Sequence, residues 1–88
     1  MEFEWNEDKE QKNIEKHGID FDEAKSIWDG PILEVPSNRH GEARFTTIGK
    51  YGEHYFTVVW TRRGERIRII SARRARRRER ADYQSQVG

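Results

Sequence analysis

Residues 54–61 read His-Tyr-Phe-Thr-Val-Val-Trp-Thr, with aromatic and β-branched side chains on both alternating faces. Such a run fits a central strand covered on two sides. Its neighbours follow from the turn residues around it. Gly49-Lys50-Tyr51-Gly52 reads as a turn before it and Arg62-Arg63-Gly64-Glu65 as a tight turn after it. Ala43–Ile48 and Arg66–Ala72 then become antiparallel partners, and Ile32–Val35 a short strand stopped by Pro36. In the last strand, Ile67 and Ile69 share one face, and Arg66, Arg68 and Ile70 the other.

Helical signals lie outside this block. Asn6 reads as an N-cap, and Glu7, Asp8 and Glu10 fill the first turn. Lys16 and His17 fill the last turn, and Gly18 ends it. Ile14 is the one large apolar residue of this first helix. A second helix is predicted from Phe21 to Asp29, with Phe21, Ala24, Ile27 and Trp28 on one face, Asp20 and Glu23 as a capping box, and Gly30-Pro31 as the stop. Phe3 and Trp5 flank Glu4 in what reads as a small strand. A last helix is predicted from Ala72 or Arg73 to about Ser85, capped by Ser71. The expectation is one α+β domain over residues 1–88, with two N-terminal helices, a three- to four-stranded antiparallel meander and a C-terminal basic helix.

Charge is segregated along this plan. Arg62–Arg80 carries ten Arg, no Lys and two acids, whereas residues 1–34 carry eleven acids and four Lys. Guanidinium is planar, permanently charged and grips phosphate or carboxylate through two hydrogen bonds. The arginine block thus points to a polyanion or an acidic partner, and the acidic first third is expected to keep away from phosphate. The chain has no Cys and its three His are far apart, so no metal constellation is read and no cofactor is expected. No apolar run approaches a membrane span, and the start is acidic, unlike a signal peptide; the expectation is a soluble cytoplasmic protein.

Several segments match a family in order and spacing: FEW at Phe3–Trp5, KHGIDFDEA at Lys16–Ala24, GEARF at Gly41–Phe45, TIG at Thr47–Gly49, and RGERIRIISARRARRRERADY at Arg63–Tyr83. The most specific is RIISAR followed by a basic helix with Glu79 and Tyr83 four residues apart. The chain resembles the BrnT toxins of bacterial type II toxin–antitoxin systems. The resemblance implies a RelE-like fold with helices on one side of a small antiparallel sheet. It also implies a metal-independent ribonuclease that blocks translation. A BrnA-type antitoxin would neutralise it and bind operator DNA through a ribbon-helix-helix region, with two toxins and two antitoxins in a heterotetramer. Within Val35–Gly41, Asn38 stands where that resemblance leads one to expect an aspartate.

Metal-free RNA cleavage needs a base for the 2′-OH, cations for the phosphoryl oxygens and a proton for the leaving 5′-oxygen. Arg68, mid-strand, and Arg73, at the predicted helix start, are the leading phosphate ligands; an ion pair or a cap would account for them equally well. His17 is a candidate acid–base group or a cation at a helix C-terminus. Glu79 reads as a base or as a counter-ion within the arginines. Tyr83 could stack on a base, donate its phenol, or anchor its helix. Arg63, Arg66, Arg76, Arg77 and Arg80 are candidate RNA contacts, as is Arg44, which could equally pair with Glu42. His40 is a candidate for proton transfer; His54 matches nothing.

Three functions remain open on these residues: an endoribonuclease, a non-catalytic nucleic-acid-binding module, and a domain whose basic helix receives an acidic protein. In all nucleic-acid readings the polymer is expected to touch the last strand and last helix and to avoid the first helix.

Overall fold

The computed structural model describes residues 1–39 and 42–88, with the backbone alone for residues 36–39 and 42. The elements are β1 (Glu2–Trp5), α1 (Glu7–His17), α2 (Phe21–Ala24) running into a 3₁₀ turn (Lys25–Asp29), β2 (Ile32–Arg39), β3 (Glu42–Tyr51), β4 (His54–Arg63), β5 (Arg66–Arg74) and α3 (Arg77–Gln86). The class is α+β, as expected. The sheet has five strands rather than three or four, in the order β1-β5-β4-β3-β2, and it is mixed. β1 adds in parallel to β5, pairing Phe3 with Ile67 and Trp5 with Ile69; the other pairings are antiparallel.

β4 is the central strand, and its two apolar faces meet two different layers. Phe56, Val58 and Trp60 join Ile67, Ile69 and Ala72 under Ile19, Phe21, Ala24 and Ile27 of the N-terminal helical segment. Trp60 is satisfied by donating from Nε1 to the Thr47 hydroxyl at 2.7 Å and stacks on Phe45. Gly49 is needed here, because a β-carbon would stand 2.6 Å from that of Ile27. On the opposite face Ile48, Leu33 and Tyr55 pack under Tyr83, Ala75 and Val87. Helices therefore cover both sides of the sheet, not one. α3 covers only part of its face, and the uncovered part forms the cleft described below.

Four boundaries differ from expectation. Pro36 does not stop β2, which runs on to Arg39. β2 lies at the sheet edge, where a residue without an N–H costs no ladder bond. β3 continues through Gly49 to Tyr51, and the turn is Gly52-Glu53, with Gly52 at φ 62°. β5 continues to Arg74, because Arg73 and Arg74 pair with Thr57 and Phe56. Consequently α3 begins at Arg77, its N-cap is Arg76, and Ser71 lies within a strand.

One irregularity governs everything that follows. Val59 pairs with Ser71 but Trp60 pairs with Ile69, so Ile70 is an extra residue, a β-bulge. Strict alternation would send Arg73 to the core side with Ile67 and Ile69. The bulge reverses the parity, so Ala72 faces the core and Ser71 and Arg73 face outward, on the side of Arg68.

α1 is held by a polar residue instead of its isoleucine. Ile14 is exposed, whereas Asn13 is buried at 6% exposure. The Asn13 amide donates to Ile19 O and Ala72 O, both at 2.8 Å, and its oxygen accepts from Ala72 N at 3.0 Å. β1 pairs with β5 only through Ile69, and beyond that point Asn13 takes the place of a neighbouring strand. The helix is thereby docked along the free edge of β5.

Candidate active site

Two contiguous clefts open where the bulge, α1 and the approach to α3 meet. The first, of about 380 Å³, is lined by Arg44, Thr46, Val59, Ile70, Ser71, Arg73 and Arg76. The second, of about 560 Å³, shares its last four residues and adds Lys9, Lys12, Asn13, Lys16 and His17 from α1. No acidic residue lines either cleft among the described residues.

Arg73 is a cation of the site held in place by a carboxylate. Its Nη1 and Nη2 donate to the two oxygens of Glu79 at 2.7 and 2.9 Å, and Nη1 reaches Arg74 O at 3.4 Å. Three of the five N–H donors of a guanidinium are thus engaged, which fixes its plane and leaves two for a ligand. Glu79 also accepts from the Arg76 backbone N–H at 2.8 Å and from the Thr57 hydroxyl at 3.1 Å. The Arg73 hydrogen bonds, helped by those from Arg76 and Thr57, hold its carboxyl down at about 2 despite burial. The same hydrogen bonds raise Arg73 above the usual guanidinium value. Glu79 is therefore an ionised anchor for Arg73, and a carboxylate held this acidic is a weak base.

His17 stands at the end of α1, half-buried, and lines the larger cleft with Arg73. Burial lowers its pKa below the ordinary histidine value, and the charges of Lys16 and Arg73 lower it further. A neutral imidazole beside a fixed guanidinium is the arrangement a general base needs next to a phosphate ligand.

A scan against known families matches residues 5–79 to the ribonuclease toxin, BrnT, of type II toxin–antitoxin systems. The chain belongs to the BrnT family. It is a ribonuclease toxin of a type II system, and a cognate antitoxin is its partner. A search of curated proteins finds no match.

Arg73, His17, Arg44 and Arg76 come together around the clefts. Arg73 does so from β5, not from a helix N-terminus. Arg68 does not join them. It donates to Glu4 Oε2 at 2.7 Å on the β1 side of the sheet. Arg66 lies at 3.6 and 3.7 Å from Glu2 and Glu4. Arg63 pairs with Arg66 at that same end. Six strand residues lie between Arg66 and Arg73, a span of roughly 20 Å. Arg77 is exposed on α3 and lines neither cleft. Arg80 lines a separate hollow with Glu53, His54, Tyr55, Arg74 and Ala75. Tyr83 is buried at 5%, donates its hydroxyl to Pro31 O at 2.8 Å and meets Tyr55 edge-on. Its hydroxyl is thus engaged in anchoring α3. Tyr83→Phe should lower stability by about 1 kcal/mol in a thermal or urea melt, with RNA cleavage retained; loss of cleavage in the folded variant would return Tyr83 to the site. His40 and the side chains of Asn38 and Glu42 lie outside the described residues.

The lysines of α1 were missed. Lys9, Lys12 and Lys16, with Asn13 and His17, occupy positions i, i+3, i+7, i+4 and i+8, one helical face. The net acidity of the segment hid that spacing. Among the described residues, no helix is long and apolar enough to cross a membrane.

Proposed function

We propose that this BrnT toxin cleaves RNA internally in the joined clefts by a metal-independent transphosphorylation, with its catalytic groups supplied by β5, α1 and the entry to α3. His17 takes the proton from a 2′-OH, whose oxygen attacks the adjacent phosphorus. The bond to the 5′-oxygen breaks, leaving a 2′,3′-cyclic phosphate, and the departing oxygen takes a proton from solvent in the open cleft. Arg73, supported by Arg76 and Arg44, stabilises the charge gathering on the phosphoryl oxygens. The observation that carries the reading is Arg73 locked by Glu79 beside an imidazole whose protonated form is disfavoured.

Such cleavage would block translation in the cytoplasm. The antitoxin would be BrnA-type, joining operator DNA through a ribbon-helix-helix region in a complex of two toxins and two antitoxins. The type II family description and the basic, acid-free clefts, which suit an acidic inhibitor as well as RNA, support this. The test is inducible expression with and without the adjacent reading frame, following growth and RNA integrity. Arrest with fragmented RNA ending in cyclic phosphate, reversed by the neighbour, is the expected result. Normal growth and intact RNA from soluble protein would leave a binding module that uses the same arginines.

A further inference from the structure

α1 belongs to the most acidic part of the chain, yet its lysines are sorted. Lys9, Lys12 and Lys16 all line the larger cleft, while Glu7, Asp8 and Glu15 do not. Among the described residues these three lysines make no ion pair. Lys25, outside the cleft, is paired to Asp22 at 3.0 Å. The pairing is not prevented by sequence, since Asp8 and Lys12 have the i, i+4 spacing that favours a helix salt bridge. Instead, Lys9 and Lys12 stand as like charges at i, i+3 and Lys12 and Lys16 at i, i+4, which destabilises a helix slightly. Arg73 and Arg76 face them across the groove. An array of like charges held together by a buried asparagine is unfavourable for folding alone and favourable once a polyanion lies in it.

We infer that this lysine face is the backbone-tracking arm of the site and that it takes single-stranded RNA on one side of the cleaved phosphate. The inference rests on the ribonuclease reading and adds the path and strand state of the substrate. From Lys9 to Lys16 the helix rises roughly 10 Å at 1.5 Å per residue, the length of about three stacked nucleotides at 3.4 Å each. A groove of about 560 Å³ has the size of a pocket that holds a drug-sized ligand, and a nucleotide or two of a single chain is of that size. The path is continuous with the catalytic pocket, because Ile70, Ser71, Arg73 and Arg76 line both. Lysine suits this task, since an ammonium on a flexible stem follows phosphates without demanding a fixed geometry. Arginine is kept for the fixed position at Arg73.

The experiment measures binding of a short 2′-O-methyl RNA, which cannot be cleaved, by fluorescence anisotropy over a range of salt. The proteins are the wild type, the triple variant Lys9→Gln/Lys12→Gln/Lys16→Gln, and Lys25→Gln as control. The triple variant is expected to bind at least about tenfold more weakly, with a log–log salt slope shallower by about 2, as three lost single-strand phosphate contacts require. Lys25→Gln should match the wild type, and a duplex of the same sequence should bind without dependence on the three lysines. An unchanged affinity and slope in the triple variant would overturn the inference. So would an unchanged RNA affinity accompanied by loss of antitoxin binding, which would assign the face to the protein partner. Because no cleavage is needed, failure here is separable from failure of the catalytic assignments, which are read from kcat.

Discussion

Replacing Arg73 by alanine is expected to lower kcat for RNA cleavage by about 10²- to 10³-fold, the usual effect of removing one fixed donor from a developing oxyanion. The reason is the geometry of the anchor rather than the charge alone. The clefts hold other cations, and the guanidinium plane of Arg73 is set by two hydrogen bonds to a carboxylate. A donor that is already oriented stabilises the transition state without reorganising when charge appears. Arg68→Ala should leave cleavage nearly intact, because its partner is Glu4, on the β1 side of the sheet. Single-turnover cleavage of a defined oligonucleotide, with circular dichroism as the check on folding, measures both. A folded Arg73→Ala protein that cleaves at the wild-type rate would remove this residue from the site.

Glu79→Gln separates position from charge in the same pair. Arg73 stays, but its bidentate partner becomes a neutral amide and its plane loosens, so cleavage should fall by about tenfold, less than in Arg73→Ala. Stability should respond with a defined sign. The folded carboxyl titrates at about 2 against 4.5 for an ordinary glutamate, and its side chain is 21% exposed. The folded state therefore binds that proton less readily than the unfolded chain. The contribution is fully present above pH 4.5 and is lost as pH falls from there to about 2. Its ceiling is about 3 kcal/mol. In urea melts the wild type should lose stability through that acid window, and Glu79→Gln should start lower at pH 7 and show less of the loss. Equal melts of the two proteins at pH 7 would mean that the ion pair holds nothing.

The same arginine marks where sequence reading succeeded and where it stopped. The central strand was legible in HYFTVVWT because both of its faces are apolar, and the α1 and α2 caps at Asn6 and Asp20 were legible because short polar side chains announce them. The parallel β1 strand was only half legible. Phe3 and Trp5 alternate, but the choice of partner depends on Ile67 and Ile69, more than sixty residues away. The bulge at Ile70 left no local signature, since no glycine marks it. A helix start is therefore expected at Arg73, where the strand still runs and the bulge turns its side chain outward. Arg68, which alternation placed correctly, was the less informative choice, because its position beside Glu4 is a matter of tertiary register. The α1 lysines were hidden by averaging: a segment with net negative charge can still present a positive face, and only the 3.6-residue period reveals it.

His17 supplies the remaining large effect, and it is one of pH. As the base, it must be neutral, and burial together with Lys16 and Arg73 holds its pKa below 6.5. The rate should thus decline into acid with a slope of one proton, with its midpoint below the ordinary histidine value. His17→Ala should lower kcat/KM by about 10²- to 10⁴-fold and erase that acid limb, because the group whose protonation produced it is gone. The neighbouring charges provide an internal control. Lys16→Gln removes one of the cations that disfavour imidazolium, so the acid limb of the remaining activity should move up toward 6.5, and Arg73→Ala should move it in the same direction. A groove anchored by Asn13 makes these shifts interpretable, since α1 remains docked to Ala72 in both variants. A pH–rate profile of kcat/KM for the four proteins decides the matter. If the acid limb survives in His17→Ala, another group takes the 2′-OH proton, and the imidazole beside Arg73 belongs to binding alone.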